Sequence, residues 1–131
     1  MSQVYSIYFR HKVVDEELFV KLTNLFVKRG NRSMNDYFSK RNLETADNCI
    51  KAMLAFDTQP DEFNCVECDN GFKDYFNNFK ATYSWGNALI NWFATVAIAL
   101  ADKSDLEINS DDDGFYRLEV KCGVAEITER L

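Results

Sequence analysis

Two cysteines three residues apart, Cys65 and Cys68, form the pattern in this chain that is closest to a metal or redox motif. Thiolates at this spacing can bind one Zn²⁺ ion or form a disulfide with one another. A zinc site needs two further ligands, and the soft candidates are Cys49, Cys122 and a single histidine, His11. Because no second CxxC pair and no paired histidines accompany them, we expect unpaired loop cysteines, with a zinc site or a redox pair as the alternatives.

A second metal-like pattern lies between Asn109 and Gly114, where oxygen-bearing side chains alternate before a glycine, as at the start of a calcium loop. The twelfth position of such a loop needs a glutamate, but counted from Asn109 that position is Val120. The flanking residues also read as strands rather than helices. We therefore interpret this segment as a tight turn that has Gly114 in the left-handed conformation.

Recognisable catalytic motifs are absent from the sequence. It has no nucleophile elbow, phosphate-binding loop, HExxH or dinucleotide-binding fingerprint, and His11 is the only histidine. The 21 Asp and Glu residues could contain an acid–base pair, but nothing singles out two of them. We predict a protein without enzymatic activity or cofactor; the alternative is a small hydrolase or metal-dependent enzyme that uses Cys65 and Cys68 or a carboxylate cluster.

Negative charge is concentrated in the second half of the chain. Residues 1–60 contain nine basic and seven acidic residues, whereas residues 61–131 contain six basic and fourteen acidic ones. The second half therefore repels nucleic acids and membrane surfaces and attracts basic proteins, metal ions or cationic ligands. We also expect some of the aromatic residues (Phe 11, Tyr 6, Trp 2) to be partly exposed at a contact surface.

These two features together predict a docking surface for a basic partner, in which charge guides association and aromatic side chains anchor the complex. Ordinary solubility is the alternative explanation of the charge, and a structural subunit that forms a homodimer through exposed aromatic faces is a further one. The predicted docking residues are Asp57, Asp61, Glu62, Phe63, Glu67, Asp69, Asp105, Glu107, Asp111, Asp112 and Asp113.

The first half of the chain carries signals for a strand and helices. Apolar and polar residues alternate over positions 3–10, which predicts a half-buried strand. A helix is expected between Asp15, a suitable N-cap, and Gly30, which suits the left-handed position after a helix. Thr45 predicts the start of another helix, which extends to about Phe56. The apolar stripe expected on the first helix consists of Leu18, Leu22, Leu25 and Phe26.

Two further segments connect these elements. Residues 31–42 predict a short helix, and residues 57–71, which include the only proline, predict a long surface loop.

Residues 72–101 predict a long central helix with a kink near Trp85 and Gly86 and an end near residues 102–104. The aromatic residues at helical spacing in its first part are Phe72, Tyr75, Phe76, Phe79 and Tyr83.

The end of the chain predicts an antiparallel three-stranded meander with turns at residues 112–114 and 122–123. The expected cross-strand pairs are Ile108 with Leu118, Leu106 with Val120, Val120 with Ala125, and Leu118 with Ile127. The predicted fold is therefore a single α+β domain, residues 1–131, in which an N-terminal strand and this meander pack against several helices, including the long kinked one.

The sequence also predicts a cytoplasmic location. The N-terminus lacks the features of a signal peptide, and the longest apolar run, Ala88 to Ala101, is too short and too polar to cross a bilayer. In that compartment the four cysteines are expected to be reduced.

The C-terminal part of the chain resembles small acidic α+β proteins of the bacterial toxin-immunity type. The similarity covers about a third of the chain: an apolar helix ending Leu100-Ala-Asp-Lys-Ser-Asp-Leu-Glu-Ile108, an Asp-Asp-Gly turn, a strand that contains Arg117, and a Gly turn before Glu126. The resemblance implies an inhibitor that binds a toxin and covers its active site, and it assigns no role to any residue.

We therefore predict an acidic cytoplasmic binding protein that inhibits or regulates a macromolecular partner. The partner expected is a basic protein, such as a toxin or a nucleic-acid-handling enzyme, whose cleft accepts carboxylates in place of phosphates. No direct contact with nucleic acid or membrane is expected.

Overall fold

An α+β fold is formed by the residues that the computed structural model describes, which are 3–29, 43–54, 64–81, 85–111 and 114–130. In chain order its elements are β1 (Gln3–His11), α1 (Glu16–Arg29), α2 (Ala46–Leu54), β2 (Asn64–Glu67), β3 (Lys73–Ala81), α3 (Trp85–Val96), β4 (Asp105–Ser110), β5 (Gly114–Lys121) and β6 (Val124–Arg130). Two 3₁₀ turns, Asp69–Gly71 and Ala97–Ala99, precede β3 and follow α3. No helix in these ranges is long and apolar enough to cross a membrane.

The six strands form one antiparallel sheet in the order β2-β3-β1-β4-β5-β6. The strand predicted near the N-terminus is confirmed as β1, an internal strand between β3 and β4. Its alternate residues Tyr5, Ile7 and Phe9 are fully buried against the helices, as the period of two predicts. Burial of this row fixes the register of the central strands.

Helix α1 begins where its capping residue predicts. The Asp15 side chain accepts a hydrogen bond from the backbone N–H of Leu18 at 3.1 Å, which satisfies one of the free donors of the first turn. Two glutamates follow in the first turn, and Lys28 and Arg29 occupy the last, where they complement the helix dipole.

The predicted apolar stripe of α1 is displaced by one residue. The buried side chains are Phe19, Thr23 and Val27, so Leu18, Leu22 and Phe26 lie at the margin and Leu25 is exposed. Thr23 can be buried because its hydroxyl accepts a hydrogen bond from the indole N–H of Trp92 at 3.0 Å. Sequence periodicity counts threonine as polar and therefore centres the stripe on the wrong residues.

Helix α2 is also capped as predicted. The Thr45 hydroxyl accepts the backbone N–H of Asn48 at 3.3 Å, and six of the nine residues of α2 are buried. The helix therefore belongs to the core and leaves few side chains available for a surface.

The prediction of a long kinked central helix is wrong, because the first part of that segment forms the strand β3. Helical structure begins only at Trp85 and ends with the 3₁₀ turn at Ala99, before the predicted end near residue 102. Tyr75 and Asn77 alternate toward the core and Phe76 faces outward, and aromatic residues favour such a pleated surface. Pairing with β1 along nine residues outweighs the helical spacing of the aromatics.

The prediction of a separate three-stranded meander is also wrong, since β4, β5 and β6 continue the sheet from β1. Between β4 and β5 the register differs by two residues from the prediction, because Leu106 pairs with Leu118 and Ile108 with Tyr116. Between β5 and β6 the pairs of Val120 with Ala125 and Leu118 with Ile127 agree with it. The φ of +81° at Gly114 is left-handed as predicted, but Gly114 pairs with Ser110 as the first residue of β5 and does not lie in the turn. The φ angles of 51° at Cys122 and +76° at Gly123 agree with the predicted second turn.

Several predictions fall on residues outside the described ranges: Gly30, the short helix at 31–42, Phe56, Tyr83 and the loop up to residue 63. The remainder of the predicted loop 57–71 is not irregular, since Asn64–Glu67 form β2.

Candidate functional site

The sheet has two unlike faces, and one of them is the first candidate for a functional surface. Helices pack on the face that carries Tyr5, Ile7 and Phe9, where the hydrophobic core lies. Among the described elements none covers the other face, which we call the open face. The register assigns to it Val4, Ser6, Tyr8, Arg10, Val66, Asp74, Phe76, Asn78, Asp105, Glu107, Asn109, Phe115, Arg117, Glu119, Lys121, Val124, Glu126 and Glu129.

Apolar side chains are unusually exposed on the open face of β1, β2 and β3. Val66 is 61% exposed, Val4 is 41% exposed and Phe76 is 40% exposed. The uncovered face of an antiparallel sheet is normally polar. Contiguous exposed apolar groups are typical of protein-binding surfaces, whereas single ones are common on any protein.

Carboxylates outnumber cations on the open face. Its six described carboxylates are Asp74, Asp105, Glu107, Glu119, Glu126 and Glu129, and its three described basic side chains are Arg10, Arg117 and Lys121. Most of the acidic residues lie on β4, β5 and β6, beside the apolar part of the face. The face therefore has an acidic half on β4, β5 and β6, which also exposes Val124, and a half on β1, β2 and β3 with the three exposed apolar side chains, which we call the apolar half.

Arg117 forms ion pairs with three of these carboxylates within the protein. Its guanidinium lies 2.9 Å from Asp105 Oδ2, 3.5 Å from Glu129 Oε1 and 3.8 Å from Glu107 Oε1. Burial raises the pKa of Asp105, and the hydrogen bond from Arg117 opposes that change. Asp105 is only 8% exposed, so this predicted docking residue acts mainly as an internal partner of Arg117.

Glu119 and Glu126 differ from these residues because neither forms an ion pair with any described residue. They lie directly opposite each other on β5 and β6, and Asp105 lies opposite Glu119 on β4. Like charges at directly opposed positions of neighbouring strands destabilise a sheet. The part of this row formed by Glu119 and Glu126 is therefore a place where a cation from another molecule would be favourable.

At the other end of the same row, Asp74 is shared by several groups. Tyr8 donates a hydrogen bond from its hydroxyl to Asp74 Oδ2 at 2.5 Å, which raises the pKa of Tyr8 to about 12. Arg10 lies 3.9 Å from the other carboxylate oxygen, and its guanidinium is 5.6 Å from the centre of the Phe72 ring. A hydrogen bond with Asp74 also raises the pKa of the Cys68 thiol. This cysteine is therefore not activated as a thiolate.

A cleft of about 400 Å³ lies between these two parts of the open face. Its lining includes Arg10, Phe72, Asp105, Arg117 and Glu119. Asn70 and Lys103, which also line it, have positive φ angles of 61° and 73°.

The remaining predicted docking residues fall into two groups. Glu67, Asp69 and Asp111 are exposed, as a docking role requires. The positions outside the described part of the chain are Asp57, Asp61, Glu62, Phe63, Asp112 and Asp113. The prediction missed Glu119, Glu126 and Glu129. Alternation with apolar residues was a usable signal for Glu119 and Glu126, whereas Glu129 is placed by the register shift between Arg117 and Leu118.

The described cysteines are not assembled into a metal site. Cys49 is buried in α2, where burial raises the pKa of its thiol to about 11. Cys122 is exposed in the turn beside β6, which is five strand spacings, or roughly 24 Å, from β2. Within the described ranges no three His, Cys, Asp or Glu side chains are placed to hold one metal ion. Cys65 pairs with Tyr75 in the sheet register, and its side chain lies outside what the structure describes.

A second candidate, which we call the His11 pocket, lies where β1 ends and β3 begins. It has a volume of about 280 Å³ and is bordered by both strands and by the first turns of α1 and α2. The His11 ring is 3% exposed and is stacked on Phe9, with a centroid distance of 4.2 Å, and beside Tyr75 at 5.1 Å. Burial lowers the pKa of His11 to about 4, with a smaller contribution from Lys73. The imidazole is therefore neutral at neutral pH.

The carboxylates of the His11 pocket have partners within the protein. Asp47 accepts a hydrogen bond from the Tyr75 hydroxyl and lies 2.9 Å from Lys51 Nζ. Burial favours a raised pKa for Asp47, but the hydrogen bonds from Tyr75 and Lys51 outweigh it, so the pKa is lowered. Glu16 accepts the backbone N–H of Ala46 at 3.2 Å.

Comparison of this chain with protein-family models, with curated protein sequences and with solved structures finds no match.

Proposed function

We propose that this protein binds a basic protein through the open face of its sheet and thereby inhibits or regulates that partner. The observation that carries the proposal is the pair of opposed, unpaired carboxylates of Glu119 and Glu126 on an exposed sheet face. A lysine or arginine of a partner placed between them would replace a repulsion by two attractions.

The apolar half of the open face supports a protein rather than a small cation as the ligand. Val66, Val4 and Phe76 are each at least 40% exposed, and covering such side chains stabilises a complex by removing apolar surface from water. Phe76 is the largest of the three and is suited to be the anchor, because aromatic side chains dominate the energetics of many interfaces.

Inhibition follows if the basic surface of the partner is also its working surface. A toxin or nucleic-acid-handling enzyme attracts phosphates with a basic cleft, and a row of carboxylates at about 5 Å spacing can occupy that cleft. The exposed carboxylates Glu67, Asp69 and Asp111 would extend the acidic surface around the open face.

A comparison of matched charge reversals tests the proposal. The tagged protein is used to capture partners from its native cells at low and at high salt, with Glu119→Arg, Phe76→Ala and Glu17→Arg as variants. Glu17 is exposed on the helix side, so Glu17→Arg changes the net charge by the same amount as Glu119→Arg at a site away from the open face.

The proposal requires one protein that is captured at low salt, is weakened by Glu119→Arg and Phe76→Ala, and is unaffected by Glu17→Arg. Removal of a central anchor or a paired charge should weaken binding by about tenfold or more. A captured protein that responds equally to Glu119→Arg and Glu17→Arg would indicate attraction to net charge alone. That result would reject the open face as the binding surface.

A further inference from the structure

The strand β6 lies at one edge of the sheet. Among the described elements only β5 pairs with it, and every residue of β6 except the half-buried Ala125 is exposed. The edge of a sheet presents backbone N–H and C=O groups that can pair with a strand from another molecule. The free side of β6 is therefore a place where a further strand can be added.

The backbone groups on the free side of β6 can be assigned from the neighbouring strand. The N–H of Val120 donates to the Ser104 carbonyl oxygen at 2.8 Å, and its carbonyl oxygen accepts the N–H of Lys103 at 3.0 Å. Both groups of Val120 therefore point away from β6. Because such groups alternate in direction along an antiparallel pair, Ala125, which is opposite Val120, and Ile127 present their N–H and C=O groups to the free side.

The first part of this edge carries few of the features that protect an edge strand. Lysine and proline are common protective residues, and residues 124–127 contain neither of them. The register shift between Arg117 and Leu118 leaves Thr128 without an opposite residue, so a bulge interrupts the strand at that point. Strand addition is therefore possible along residues 124–127 and is blocked beyond them.

Apolar side chains are exposed on the helix side of this edge. Ile127, which is opposite the buried Leu118, is 55% exposed. Ile98 is 63% exposed and belongs to the 3₁₀ turn that lies close to β6. A Cβ added at Gly123 would lie 3.5 Å from Ile98 Cα, which places Ile98 beside the turn between β5 and β6. Apolar side chains of an added strand would remove this surface from water.

On the open face the same edge carries a negative charge. Glu126 lies between Ala125 and Ile127 in the strand, faces Glu119 on β5 and forms no ion pair with a described residue. Opposite charges at directly opposed positions stabilise a strand pair. The edge is therefore complementary to a strand in which a basic residue stands between two apolar ones.

A second copy of this chain is a poor match for the edge. When two β6 strands pair antiparallel through Ala125 and Ile127 of both copies, the two Glu126 side chains stand directly opposite each other. Like charges in that position are destabilising. Charge therefore favours a basic strand over a second copy.

We propose that the free edge of β6 binds an extended segment of a basic protein as an additional antiparallel strand. Apolar residues of this segment lie opposite Ala125 and Ile127, and a lysine or arginine lies opposite Glu126. The antiparallel direction follows that of every described strand pair. The inference rests on the proposed function for the nature of the partner and adds that backbone hydrogen bonds hold it.

A short peptide with alternating lysine and valine tests the edge without the native partner. Amide hydrogen exchange measured by NMR should show that the N–H groups of Ala125 and Ile127 exchange rapidly in the free protein. In the complex their exchange should slow by about tenfold or more, since each gains a hydrogen bond. The N–H of Glu126 points toward β5 and serves as the internal reference that is protected in both states.

Methylation of the peptide backbone separates strand pairing from attraction between charges. In an antiparallel pair, the valines opposite Ala125 and Ile127 use their N–H groups toward β6, whereas the N–H groups of the lysines point away. N-methylation of the valines should therefore abolish protection, and N-methylation of the lysines should leave it unchanged.

A charge exchange tests the role of Glu126. Glu126→Lys should weaken binding of the lysine–valine peptide by about tenfold and should make a glutamate–valine peptide the tighter ligand. Glu17→Lys changes the net charge equally on the helix side and should leave the preference for the lysine–valine peptide unchanged.

Three outcomes would overturn strand addition by a basic partner. The first is equal binding of both N-methylated peptides, and the second is self-association of the free protein that protects Ala125 and Ile127, which would assign the edge to a second copy. The third is a captured partner that responds to Glu119→Arg without protecting these two amides. That last result would leave the open face as the docking surface and reject the edge alone.

Discussion

His11 should make this protein less stable in mildly acidic solution. Its ring is buried against Phe9, and burial lowers its pKa from 6.5 to about 4. In the unfolded chain the histidine regains its ordinary pKa and therefore binds a proton at a higher pH than in the folded protein. The contribution of such a group to stability is complete above pH 6.5 and is lost as the pH falls toward 4.

The two pKa values determine the size of this effect. A folded pKa of about 4 and an unfolded pKa of 6.5 correspond to a maximum contribution of about 3 kcal/mol. Between pH 7 and pH 4.5 the same linkage relation gives a loss of about 2 kcal/mol from this one side chain. Carboxylates titrate in the same range, so the total loss of stability does not isolate the imidazole.

The variant His11→Phe provides the reference, because phenylalanine retains an aromatic ring beside Phe9 and Tyr75 and cannot bind a proton. Free energies of unfolding from urea titrations at the two pH values should show that the wild-type protein loses about 2 kcal/mol more than the variant. A difference smaller than about 0.5 kcal/mol would refute the reasoning. It would mean that the folded protein keeps His11 solvated or charged.

Three further substitutions have expected effects on the free energy of unfolding. Glu119→Gln should stabilise the protein by about 0.2–1 kcal/mol, because it removes the repulsion from Glu126. Thr23→Val should destabilise it by about 1–3 kcal/mol, because the buried indole N–H of Trp92 loses its acceptor. Cys122→Asn should stabilise it by about 1 kcal/mol or less, because asparagine suits the left-handed turn position before a glycine and relieves part of the strain there. Urea titration at pH 7 measures all three.

For each of these substitutions, one measured outcome would contradict the structure. A loss of stability in Glu119→Gln would show that this carboxylate has a favourable partner in the free protein. A neutral Thr23→Val would show that the indole finds another acceptor or water. Lower stability of Cys122→Asn would argue against the left-handed turn conformation.

Local features of the fold could be predicted from the sequence because they depend on neighbouring residues. Asp15 and Thr45 cap their helices through backbone groups three residues away. The turn at Cys122 and Gly123 depends on the conformational freedom of two positions. These contacts join residues that are close in the sequence, so the sequence alone is enough to predict them.

The strand β3 could not be predicted in the same way. Its core-facing positions include Asn77, a polar residue that interrupts the apolar alternation expected of a strand. Asn77 is accommodated because its amide donates a hydrogen bond to the carbonyl oxygen of Leu54 at the end of α2. That contact joins residues distant in the sequence, so the aromatic spacing alone favoured a helix.

The docking residues were predicted from charge, but their burial depended on topology. Asp105 is acidic in the sequence and is nevertheless largely buried because the pairing of β4 with β5 brings Arg117 beside it. Glu119 and Glu126 become a candidate site only when β5 and β6 are paired and the helices are known to pack on the other face. Composition predicted that the surface charge is negative, but it did not predict which face of the fold carries that charge.

Carboxyl labelling of the captured complex is the most direct test of the open face as the docking surface. The free protein and the complex are treated with a carbodiimide and an amine, and the modification of each carboxylate is quantified by mass spectrometry. We expect the complex to protect Glu119 and Glu126 strongly while Glu17 on the helix side is labelled equally in both states. Protection of Glu17 with unchanged labelling of Glu119 and Glu126 would contradict the assignment of the open face.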